Sequence, residues 1–100
     1  MPVGMLMMVP GGTQELYDDL STEMFGGLSF GDKAPEGLIA HSAGPAPDGW
    51  YVYDIWESPD HFRRFAETQL GPTIQQRAPD MAQPEPQFYE IHNLQVVRTT

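Results

Sequence analysis

Gly49-Trp-Tyr-Val-Tyr-Asp-Ile-Trp-Glu-Ser-Pro-Asp-His-Phe-Arg-Arg-Phe65 carries the chain from a strand into a helix, and the reading of the fold starts there. Trp50 to Glu57 is rich in aromatic and β-branched side chains, which suit a pleated, half-buried surface. With a period of two, Trp50, Val52, Asp54 and Trp56 share one face, and Tyr51, Tyr53 and Ile55 share the other. Ser58 is a natural N-cap, and Pro59 fits the first helical position, where its missing N–H costs nothing. Phe62, Phe65, Ala66 and Leu70 then form the apolar stripe of a helix. Gly71-Pro72 is expected to interrupt it, with a short helical restart over Thr73 to Arg77.

Leu38-Ile-Ala-His-Ser-Ala43 reads as a strand, and Gly44 to Gly49 as a turn cluster closing an antiparallel hairpin with Trp50–Glu57. At the N-terminus, the apolar run Val3 to Val9 reads as a buried strand, closed by Pro10-Gly11-Gly12. Thr13 to Phe25 reads as a helix. Leu16, Leu20 and Met24 recur every four residues with Tyr17 beside them, acids fill the other face, and Gly26-Gly27 stops it. Leu28 to Gly37 is a loop, Arg77 to Gln87 is irregular because of Pro79, Pro84 and Pro86, and Phe88 to Val97 is expected to be the last strand.

The order is strand, helix, strand, strand, helix, strand within one domain spanning residues 1–100. It predicts an α+β, ferredoxin-like βαββαβ fold: a four-stranded antiparallel sheet with two helices on one face. The uncovered face of the third strand is too apolar for simple solvation. Sheet-on-sheet pairing of two copies, a homodimer, is therefore expected.

Fourteen acids against five bases give a net charge of −9 and no basic patch beyond Arg63-Arg64, which argues against a nucleic-acid partner. The absence of cysteine excludes disulfides, thiolate catalysis and Cys–zinc sites. No apolar run reaches the ~20 residues of a membrane span. The first residues lack the basic start of a signal peptide, so no membrane partner and a cytoplasmic location are expected. The three histidines are scattered and no phosphate-cradling glycine loop follows a strand, so neither a metal nor a nucleotide cofactor is expected.

Gly37-Leu-Ile-Ala-His-Ser-Ala-Gly-Pro45 and the Gly49–Phe65 segment, above all the step Trp56-Glu57-Ser58, resemble the dimeric α+β barrel superfamily. The closest likeness is to its antibiotic biosynthesis monooxygenase-like branch. The resemblance covers Leu38 to Gln75 well and the remainder by topology. It implies a pocket between sheet and helices, walled by Trp56. The first strand holds no Asn, and His61, the second helix's only histidine, sits in its first turn. The resemblance therefore implies oxygenation, isomerisation or cyclisation of an aromatic or polyketide-like molecule without a bound cofactor, rather than haem degradation.

Two residues are candidates for proton transfer. Asp54, between Val52 and Trp56, is a carboxylate on an apolar face, suited either to a general base or to a hydrogen-bonded structural role. His41 carries an imidazole, a side chain that can take up and give up a proton. If Gly44 paired with Gly49, it would lie opposite Val52 on the Trp56 face; a slip of one residue would turn it to the other side. Trp56, Trp50, Tyr17, Phe65 and His92 complete the expected ligand-contacting set, with core packing or an interface as the alternative for each. The overall expectation is an enzyme of secondary metabolism. The alternative is a non-catalytic module of the same fold, with a filled core around Trp56 and with Asp54 salt-bridged or exposed.

Overall fold

The computed structural model describes residues 1–97. Strands β1 (Val3–Pro10), β2 (Leu38–Ala46), β3 (Gly49–Trp56) and β4 (Pro86–Glu90) form one antiparallel sheet in the order β2-β3-β1-β4. Helix α1 (Gln14–Phe25) links β1 to β2. Helix α2 (Pro59–Phe65), a π-helical turn (Ala66–Leu70) and helix α3 (Gly71–Arg77) link β3 to β4. This is the ferredoxin-like arrangement, with the core between the sheet and the helices. Val3, Met5, Met7, Val52, Trp56 and Phe62 are buried there. Full burial of side chains of this size contributes roughly 1.5–3 kcal/mol each.

Local chemistry sets the helix ends. The Thr13 hydroxyl accepts a hydrogen bond from the Leu16 N–H at 3.1 Å, and Gly26 closes α1 in the left-handed conformation with φ 84°. The Ser58 hydroxyl accepts from the His61 N–H, with Pro59 in the first turn.

Four expectations are corrected. Gly44 to Gly49 is not all turn: β2 runs on to Ala46, leaving Pro47-Asp48 as the connection. Pro45 is tolerated because β2 is an edge strand, where a missing N–H need not break the ladder. Gly71-Pro72 does not stop the second helix. The Gly71 N–H reaches back five residues to the Ala66 carbonyl, and this wider turn carries the chain past a proline that has no N–H to donate. Gly44 does not pair with Gly49; Ala46 does, and His41 lies directly opposite Asp54. This two-residue shift keeps His41 on the Trp56 face. Finally, β4 starts at Pro86 and ends at Glu90, not Val97. Glu90 pairs with Val3, the first residue of β1, and one further hydrogen bond joins the Ile91 N–H to the Pro2 carbonyl. Past that point β1 supplies no backbone to pair with.

Candidate functional site

A cavity of about 90 Å³, partly open to solvent, lies between the sheet and the helices. Its walls are mostly apolar with a few polar groups, the lining typical of small-molecule sites. β1 contributes Met5, Met7 and Val9, and α1 contributes Tyr17, Leu20 and Met24. Asp54, His41, Trp56, Trp50, Tyr17 and Phe65 all line it. His92 does not: it lies beyond the end of β4 and is exposed.

Four of the cavity's polar side chains form one hydrogen-bonded chain. Asp54 is only 5% exposed. Its Oδ1 lies 2.7 Å from His41 Nδ1, and its Oδ2 accepts from Trp56 Nε1–H at 3.1 Å. With Asp54 ionised, His41 carries its proton on Nδ1, which leaves Nε2 as an acceptor. The Tyr17 hydroxyl pairs with that nitrogen. Tyr17–His41–Asp54–Trp56 is thus a continuous hydrogen-bonded series running from helix α1 across two strands.

Burial is the largest influence raising the Tyr17 hydroxyl above its ordinary value of 10.0. Nearby Ser21 opposes it, and the negative charges of Asp54 and Asp18 add to it. Tyr17 therefore stays protonated at neutral pH and is the donor in its bond to His41. The His41 side chain, 22% exposed, joins this series to the solvent side of the cavity.

A β-bulge makes the geometry possible. The β2–β3 register shifts between Leu38 and Ala40, so Leu38 opposite Trp56 and His41 opposite Asp54 both face the helices although they are three positions apart in the chain. Other wall residues gave no local signal in the sequence. Phe30, in the loop after α1, lies 5.3 Å from the His41 ring and edge-on to Phe25 at 4.7 Å. Met81 and Pro84 close the cavity from the irregular segment before β4. Among the described residues, no Lys or Arg lines the cavity, and no three His, Asp or Glu side chains are placed to hold a metal ion. No helix of the described residues is long and apolar enough to cross a membrane.

Fold and cavity together define an α+β protein of ferredoxin-like architecture, and the chain's likeness to solved structures is one of fold. Three solved structures carry that likeness. Rv0793 from Mycobacterium tuberculosis superposes with a TM-score of 0.64 at 10% identity, covering 94% of this chain and 98% of that one. A variant of SnoaB, a cofactor-independent oxygenase from Streptomyces nogalater, gives 0.57 at 13% identity over 93% and 94% of the two chains. The ActVA-Orf6 monooxygenase of Streptomyces coelicolor, in complex with nanaomycin D, gives 0.57 at 15% identity over 97% and 92%. No protein-family model matches the sequence, and no curated protein matches it.

Proposed function

We propose that this protein is a homodimeric, cytoplasmic enzyme that removes a proton from a neutral aromatic or polyketide-like substrate in the cavity, needing no bound cofactor. The observation that carries this reading is the Tyr17–His41–Asp54 series in the wall of an otherwise apolar cavity. The substrate hydroxyl or acidic C–H gives its proton to the Tyr17 oxygen while Tyr17 passes its own to His41 Nε2. Asp54 holds the imidazole in the required tautomer and stabilises the imidazolium. Trp56 fixes the second carboxylate oxygen and so orients Asp54. The apolar walls exclude water and hold the ring system in place.

The fate of the resulting anion depends on the substrate. An anthrone anion gives an electron to O₂, and the radical pair recombines to a peroxide. Loss of water then turns the ring CH₂ into a carbonyl, so that one oxygen atom enters the product and the other leaves as water. The oxygenases of like fold support this branch over isomerisation or cyclisation.

The test is oxygen uptake with 1,8-dihydroxyanthrone, set against the uncatalysed rate. His41→Ala and Asp54→Asn are each expected to lower kcat by about 10²–10⁴ with folding retained, the span of general acid–base catalysis. An unchanged rate in both variants would remove the proton relay. A second reading, a non-catalytic ligand-binding module, has its own support: Trp56 is 1% exposed, and both Asp54 oxygens are already engaged. It predicts tight binding of the anthrone with no oxygen uptake above background.

A further inference from the structure

Trp50 holds the one buried side-chain nitrogen or oxygen among the described residues that has no hydrogen-bond partner, its indole Nε1–H. Trp56, the only other tryptophan, gives its Nε1–H to Asp54. An indole N–H withdrawn from water without an acceptor is costly, and such orphans in a folded chain call for an explanation. Trp50 begins the inward face of β3 and lines the cavity, and its ring lies 5.5 Å from that of Tyr17. The ring that carries the unpartnered donor and the ring of Tyr17 are therefore neighbours in one wall.

We infer that Trp50 anchors the ligand, donating Nε1–H to a carbonyl oxygen of a neutral, planar hydroxy-ketone whose hydroxyl stands next to that carbonyl and faces Tyr17. This inference rests on the aromatic-substrate reading and narrows it. The adjacency comes from the contact between the two rings. A carbonyl fits because it has a lone pair to spare even when its neighbouring hydroxyl uses the other. Neutrality comes from the wall: Asp54 is present, and no Lys or Arg lines the cavity among the described residues. A carboxylate or phosphate would be desolvated there beside a like charge and without a counter-ion.

The experiment is anaerobic calorimetric titration with two probes, 1-hydroxyanthrone and 1-hydroxy-9,10-dihydroanthracene, which lacks the carbonyl. The wild-type protein is expected to bind the anthrone about tenfold more tightly, the worth of one neutral hydrogen bond. Trp50→Phe should bind the two alike. Equal binding by the wild type, as when an ordered water already satisfies the indole, overturns the assignment. So does a preference that persists in Trp50→Phe. In both of those cases the aromatic-substrate reading stands, because both probes still bind. If neither probe binds the wild type, that reading fails and this inference fails with it. A readout that needs no variant is the ¹H–¹⁵N spectrum, in which the two tryptophans give two indole signals. The Trp50 signal should move downfield with the anthrone and not with the dihydroanthracene; a Trp50 signal that behaves the same with both probes rules the bond out.

Discussion

At the scale of single residues, the distinctive feature is a phenol, an imidazole and a carboxylate in sequence. Their roles are set by which atom must carry a proton. Asp54 accepts from both His41 and Trp56, so His41 Nε2 must accept from Tyr17, and burial keeps Tyr17 protonated. That last point has a stability consequence with a definite sign. Because the Tyr17 value is raised in the folded chain, the unfolded chain loses this proton first as pH increases. The associated stability is complete below pH 10.0 and is lost as pH rises through the folded value. Chemical denaturation of wild type and Tyr17→Phe should therefore give pH profiles whose difference is flat below pH 10.0. Above it, the wild type should lose stability faster than the variant. Parallel profiles in alkali would mean that the Tyr17 hydroxyl is not held in its buried bond. Period two alone put Asp54, Trp56 and Trp50 on one face. His41 needed the hairpin register, which a cluster of Gly44, Pro45, Pro47 and Gly49 leaves ambiguous, because any of several pairings satisfies the turn chemistry. His92 was misplaced for a different reason: alternation suggested a strand where no partner strand remained.

At the scale of elements, the site depends on two irregularities that local propensity does not encode. One is the bulge at the start of β2; the other is the π turn that carries the second helical segment past Pro72. Both are resolved by the partner strand or the sheet beneath, so a single sequence shows only that something must give there. Gly37 ties the bulge to the helix start. Its carbonyl accepts from the Glu57 N–H at 2.8 Å, its φ is 86°, and an added Cβ would fall 2.4 Å from the His61 ring. Gly37→Ala combines a left-handed backbone with a steric collision and should cost about 1–3 kcal/mol or more in urea denaturation. Gly27→Ala is the matched control, since nothing lies near the added methyl and the backbone is not left-handed. It should leave the denaturation midpoint nearly unchanged. Similar losses in both variants would mean that the Gly37 contact does not hold the strand and helix together.

At the scale of the whole molecule, the helices cover only one side of the sheet. The other side presents Leu6, Met8, Tyr51, Tyr53, Ile55 and Tyr89. Met8, Tyr53 and Tyr89 are 41, 40 and 52% exposed. A contiguous apolar surface of this kind on a 100-residue chain favours burial against a second copy, through the same face on both. Charge works against it, because each copy carries −9 and like charges repel across the interface. The balance predicts a homodimer whose affinity rises with added salt, since screening weakens the repulsion and leaves apolar burial intact. Sedimentation equilibrium should give twice the chain mass of 11.2 kDa. The double variant Met8→Asp, Tyr53→Asp should sediment as a single chain. Its tryptophan bands in near-ultraviolet dichroism should stay unchanged, because both tryptophans lie on the opposite face. A wild-type protein that sediments as a single chain at micromolar concentration, whatever the salt, would show that this face meets water alone. Each cavity would then have to bind and react within one chain.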